Sequence, residues 1–393
     1  MANLMDYLTW RGDLDMGRDP WNHVDALAMA NLCYLDFQGI SDERGWPLAE
    51  ARKRQMDQVT AVANYEGRYH QFLAMAETRR FGVIRMHHFL SLTDEEEGLQ
   101  FSATCYDLPD GTLCIGFRGT DGTFVGWRED FNMSFQTTVP AQEAAVLYLA
   151  RAAEMDSRPI RLVGHSKGGN LAVYAAARSV PEVQDRLLQV YSFDGPGMDQ
   201  EIFDSEGYAR VADRICSFVP QSSIVGMLMA YYPKYTVVKS SASGIAQHDP
   251  LTWMVQGAKF ETMEKIDKNA ETISDTLHDL LKKTNRGERA AAVNALFGIL
   301  ENTQVSTFSE MKGEWLRSIT GVAQGTRDLS SDARKAVTKL VGLFLSQGFG
   351  NLAEKYRVRS AERKSGEKKP PERDGAETGN ETPNPGLTED SME

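Results

Sequence analysis

From residue 161 to 176 the chain reads Arg-Leu-Val-Gly-His-Ser-Lys-Gly-Gly-Asn-Leu-Ala-Val-Tyr-Ala-Ala. An apolar run of strand character ends in Gly164-x-Ser166-x-Gly168, and a small-residue run of helical character leaves it. A strand and a helix joined by so sharp a turn approach closely, and Gly164, Gly168 and Gly169 supply the clearance. The serine at the apex is forced into strained backbone and stands at the strand's carboxyl end. The helix behind it aims unpaired N–H groups and a partial positive charge at the serine, which favours an oxyanion there. Ser166 is therefore the candidate nucleophile of an α/β protein.

A serine hydroxyl is a weak nucleophile and needs a base. Around this kind of turn the acid and then the histidine follow the serine in the chain. Of seven histidines only His248 and His278 lie downstream. His278 sits in a polar helical stretch and is expected to face solvent. His248 falls in Ser241-Ala-Ser-Gly-Ile-Ala-Gln-His-Asp-Pro-Leu-Thr-Trp, a loop bounded by Gly and Pro after the strand-like Tyr235 to Ser240. That placement suits a base. His165, inside the turn, suits packing or support rather than proton transfer. For the orienting acid, Asp194 ends Val190-Tyr-Ser-Phe-Asp and precedes Gly195-Pro196-Gly197, at the strand end that faces the rim of Ser166. Asp249 adjoins His248, where neighbouring side chains diverge, and Asp213 precedes its strand at the opposite end.

Helix and strand patterns alternate between about 140 and 220: a helix over Ala141–Met155, a strand over Arg158–Gly164, a helix over Gly169–Arg178, then strands at Leu187–Asp194 and Arg214–Val219. This is the pattern of a mostly parallel, doubly wound sheet. Before it, Phe101–Tyr106 and Thr112–Phe117 flank a Pro109-Asp110-Gly111 turn and read as a hairpin. Residues 1–80 read as helical, including Asp25–Leu35 and Glu50–Arg68. The expected organisation is a helical part over 1–80, an α/β core over 81–255, a helical region over 256–355 and a disordered tail over 356–393. The tail is rich in charge, Pro and Gly, with too few apolar groups to offset its ordering entropy.

At 393 residues, 41% hydrophobic and 25% charged, the chain can bury a substantial core. Its net charge of −12 gives no counterion-release drive toward nucleic acid and none toward an anionic membrane surface. No basic-then-apolar leader opens the chain and no apolar run is long enough to span a bilayer, so a cytoplasmic protein without stable membrane insertion is expected. The four cysteines form no CxxC pair and read as reduced, buried thiols. Neither a cofactor nor a metal is expected, and nothing identifies a protein partner.

A second segment bears on the serine: Gly116-Phe-Arg-Gly-Thr-Asp-Gly-Thr-Phe-Val-Gly-Trp-Arg-Glu-Asp-Phe-Asn. Phe-Arg-Gly-Thr and Trp-x-x-Asp followed by Gly-His-Ser-x-Gly-Gly resemble the class 3 (fungal-type) lipase superfamily. The chain is most similar to a bacterial domain-of-unknown-function branch of it. That branch also carries Asp-Tyr-x-x-Trp-Arg-Gly-Asp (Asp6 to Asp13), Phe-Asp-Gly-Pro-Gly, Val-Pro-Gln-Ser-Ser and Gln-His-Asp-Pro, all found here over roughly residues 1–330. The resemblance implies an α/β-hydrolase fold. It implies that Thr120 gives an oxyanion N–H and hydroxyl, that Lys167 gives the second N–H, and that Trp127 and Asp130 brace that loop, with Arg118 as a further supporting residue. The sequence departs from class 3 lipases after the next strand, where Ser217–Gly226 holds no carboxylate; either the acid is Asp194 or the triad is incomplete. Lys167 also replaces an apolar residue; its cation suits an anionic substrate group or a nearby Asp or Glu.

The expected chemistry is cleavage of a small-molecule ester or lipid by acyl transfer. Met227, Leu228, Met229, Tyr231 and Tyr232 are candidates for an acyl pocket, with ordinary core as the other reading. Two rivals share the residues: a silent scaffold that keeps the fold for a protein partner, and a thioesterase or peptidase.

Overall fold

The computed structural model describes residues 2–38, 45–54, 65–94, 96–120, 138–223, 225–227 and 232–268, with the isolated residues 270, 287 and 331. In chain order the strands are β1 (Trp46–Pro47), β2 (Arg85–Asp94), β3 (Leu99–Asp107), β4 (Leu113–Phe117), β5 (Ile160–His165), β6 (Leu187–Phe193), β7 (Ile215–Pro220), β8 (Thr236–Val238), β9 (Val255–Gln256), β10 (Lys259–Phe260) and β11 (Thr262–Met263). The main helices are α1 (Leu4–Arg11), α2 (His23–Leu32), α3 (Leu48–Arg54), α4 (Tyr65–Glu77), α5 (Pro140–Met155) and α6 (Lys167–Arg178).

Among the described residues nine strands form one mixed sheet in the order β1-β2-β3-β4-β5-β6-β7-β8-β11. Strands β4 to β8 are parallel; the pairs on either side of them are antiparallel. This order decides where the helices go. Right-handed crossovers that always step the same way along a sheet drop their helices on one face. Helices α5 and α6 lie there, packing Ala145, Leu149, Leu171 and Val173 against Leu113, Ile115, Phe117, Leu162 and Val190. The alternate residues Cys114, Val163, Tyr191 and Phe193 point to the other face, as period-two strands require. The chain's own N-terminus covers that face: Leu4, Tyr7 and Leu8 of α1, Val24 and Leu27 of α2, and Phe72 and Met75 of α4.

A buried ion pair ties that layer together. Asp25 and Arg80 are both fully buried; Arg80 donates through Nε and Nη2 to the two carboxylate oxygens, and Tyr7 Oη donates to Asp25 Oδ1 at 2.7 Å. The same guanidinium donates to the carbonyls of Leu14, Asp19 and Pro20, closing the loop between α1 and α2.

The predicted hairpin is β3–β4, with Leu108 N–H on Thr112 O across the turn. The helix expected over Glu50–Arg68 is found as α3 and α4, with 55–64 outside the described residues. Strand β2 was not legible. It lies toward the sheet edge, half exposed along much of its length, so it carries no apolar run; a bulge near His88, at φ 52°, also breaks its alternation. Apart from residues 270, 287 and 331, the region after 268 lies outside the described residues, including the expected tail. Among the described residues, no helix is long and apolar enough to cross a membrane. The four cysteines are free, and burial pushes the Cys33 and Cys105 thiols up to about 12.

Candidate active site

Ser166 stands between β5 and α6 with φ 58° and ψ −134°, backbone that L-residues rarely adopt. Steric room dictates the glycines around it. A Cβ on Gly164 would stand 2.0 Å from Gly168 O, and one on Gly168 2.2 Å from Phe117 O. Ser166 N–H donates to Phe193 O, and Gly169 N–H to Ser166 O, both at 2.9 Å.

The neighbouring strand repeats the device. Asp194 follows β6 with φ 48°, again left-handed, and its N–H donates to Phe218 O at 2.7 Å. Two parallel strands thus end in matching turns and present a hydroxyl and a carboxylate on one rim. The carboxylate is almost fully buried. Its Oδ1 accepts from Ser223 Oγ and, at 3.0 Å, from Gly226 N–H, both on the loop after β7; Oδ2 is left for His248 Nδ1 at 2.7 Å. His248 Nε2 in turn lies 3.0 Å from Ser166 Oγ. The imidazole is 20% exposed while Asp194 is 1%, so the row runs from interior to surface.

The loop that delivers His248 is a tight turn over Gly244–His248, not an open coil. Gln247 pins it: its side chain exchanges hydrogen bonds with Ser222 and donates to Ala242 O, and its carbonyl accepts from buried Trp253 Nε1 at 2.8 Å. His165 contacts the same loop, with Nε2 2.8 Å from His248 O.

Arg118 and Thr120 are buried beside the serine. Gly119 between them has no room for a side chain: a Cβ there would stand 2.6 Å from His165 O and 3.0 Å from Ser166 Cβ. The loop leaving β4 therefore runs against the Ser166 turn. Lys167 opens α6, and its buried ammonium donates to Gln100 O at 2.9 Å and to Gln100 Oε1 at 3.4 Å on β3. Neither of its sequence readings included Gln100.

Several candidates stand elsewhere. Trp127, Asp130, Leu228, Met229, Tyr231 and His278 lie outside the described residues. Met227 is buried with Val219 and Val237, and Tyr232 packs edge-on against Phe203, so both are core. Asp249 caps the next turn through Leu251 N–H, and Asp213 is an exposed partner of Lys234. Sequence reasoning missed Ser223, Gly226 and Tyr34, which all touch site residues. For Ser223 and Gly226 a signal existed, because the stretch after β7 lacks a carboxylate yet carries hydroxyls and glycine that can hold one.

A mixed sheet whose parallel centre carries a left-handed serine between strand and helix, with a histidine returned to it from beyond the last parallel strand, defines the α/β-hydrolase fold. The chain belongs to the Mbeg1-like family, a lipase-like family whose model matches residues 75–298, more than half of its length. Among solved structures it is similar to the crystal structure of M37 lipase at 14% identity and a TM-score of 0.33, over 52% of this chain and 68% of that one. No curated protein matches the chain.

Proposed function

We propose that the chain is a serine hydrolase that cleaves a carboxylic ester of a small molecule or lipid by two-step acyl transfer. Ser166 Oγ attacks the carbonyl carbon as His248 Nε2 takes its proton. Asp194 holds the imidazole with Nδ1–H toward itself and stabilises the imidazolium that forms. The N–H groups of Thr120 and Lys167 are assigned to the oxyanion, where one donor is worth about 3 kcal/mol. The imidazolium gives its proton to the departing alcohol. Water, deprotonated by His248, then releases the acid and restores Ser166.

The observation that carries this reading is the unbroken row Asp194 Oδ2, His248 Nδ1 and Nε2, Ser166 Oγ at 2.7 and 3.0 Å, assembled from three separate loops. A fold kept only as a scaffold has no need of a base within reach of a strained serine. A fluorophosphonate probe tests it. Wild type is expected to be labelled on Ser166 and the Ser166→Ala variant not at all; an unlabelled, folded wild type would remove the reading.

Ser223 yields a finer expectation. Its hydroxyl and Gly226 N–H both hold Asp194 Oδ1. Loss of one donor to a buried carboxylate costs on the order of 1.4 kcal/mol, a factor of about ten. Ser223→Ala is expected to lower kcat on a p-nitrophenyl ester about tenfold with KM within twofold, read by steady-state kinetics.

A further inference from the structure

We propose that His165 is a positioning residue: its Nε2–H holds the main-chain carbonyl of His248, and the Tyr34 hydroxyl fixes the ring tautomer that makes this possible. The inference rests on the hydrolase reading above and names the device that sets the base in place.

Elementary donor and acceptor accounting carries it. His165 is buried, and each ring nitrogen has one polar neighbour at 2.8 Å: His248 O at Nε2 and Tyr34 Oη at Nδ1. A carbonyl can only accept, so Nε2 must carry a hydrogen; a bare nitrogen there would set two lone pairs against each other. Nδ1 is then the acceptor in a neutral ring and takes the Tyr34 O–H. Tyr34 Oη also lies 3.3 Å from His165 O, but its single hydrogen favours the shorter contact.

The surroundings keep the ring neutral. Burial is the main cause that holds the His165 imidazole well below its ordinary range, with the His248 and Arg68 charges adding to it. The Arg68 guanidinium lies over the Tyr34 ring, 3.9 Å from its centre. The two imidazoles stack obliquely with centres 4.5 Å apart. His165 therefore grips the main chain of the residue whose ring must meet Ser166 Oγ. The geometry also assigns work to the N-terminal layer. Tyr34 lies just past α2, outside the residues the family model matches, yet it completes the support.

The experiment compares wild type, His165→Leu, His165→Gln and Tyr34→Phe in full-length protein. A glutamine amide can still donate to the His248 carbonyl; leucine cannot. His165→Leu is expected to lower kcat on a p-nitrophenyl ester by about ten- to a hundredfold with KM within twofold, since a displaced base costs rate more than binding. His165→Gln is expected to regain most of that loss, Tyr34→Phe to show a smaller one, and the acidic limb of the rate–pH profile to stay in place in His165→Gln. Nitrogen NMR is expected to find one imidazole with a protonated Nε2 and bare Nδ1 throughout pH 5–8, lost in His165→Leu. Unchanged kcat in a folded His165→Leu, equal impairment of Gln and Leu, or a shifted acidic limb overturns this proposal alone. A wild type that neither labels with fluorophosphonate nor hydrolyses the ester overturns the hydrolase reading, and this proposal with it.

Discussion

Replacing Ser166 by alanine is expected to lower kcat for ester hydrolysis by about six orders of magnitude, and replacing His248 by alanine to do almost the same. In the proposed mechanism the two act on one event. Without Oγ there is no attack, and without an imidazole 3.0 Å away the hydroxyl stays protonated. The double variant is therefore expected to be no slower than either single one, since residues that work as a unit do not add. Asp194→Asn is expected to cost about four orders of magnitude. An amide can present N–H to His248 Nδ1, which inverts the tautomer and turns Nε2–H toward the serine. Single-turnover measurements on an activated ester separate these losses from product release. Rates equal to wild type in all four variants would exclude Ser166, His248 and Asp194 from the chemistry.

The second large effect is on stability. Asp25→Ala is expected to destabilise the fold by about 3–5 kcal/mol, because it strands a fully buried guanidinium. Arg80→Met is expected to cost a similar amount: it strands Asp25 and removes the donor from three loop carbonyls. In thermal unfolding either change corresponds to a midpoint lower by on the order of 10 °C. The pair Asp25→Leu with Arg80→Met removes both charges together and is expected to recover part of the loss. If both single variants melt with wild type, the ion pair does not hold this layer.

Much of the candidate site's placement was legible because local sterics dictate it. Only glycines let β5 turn into α6 around Ser166, and those glycines are written in the chain. Asp194 could be read from its place at a strand's end, and His248 by its being downstream in a Gly- and Pro-bounded loop. Tyr34 could not. It follows a helix whose apolar spacing makes a tyrosine look like one more core residue, and nothing local ties it to a histidine 131 positions away. The partner of Lys167 escaped for the same reason: Gln100 is a neighbour only because β3 pairs with β4. Strand β2 escaped because its half-exposed place next to the edge strand relaxes the hydrophobic alternation by which strands are read.

The two left-handed residues on the rim have one more consequence. Glycine is the amino acid that the backbone at positions 166 and 194 would choose, since there the geometry carries a steric cost of order 1–3 kcal/mol for any side chain. The proposed mechanism forbids that choice at both. On that mechanism, breeding this protein for heat resistance alone would favour exchanges that silence it, and a screen blind to turnover would harvest sturdy, inert descendants.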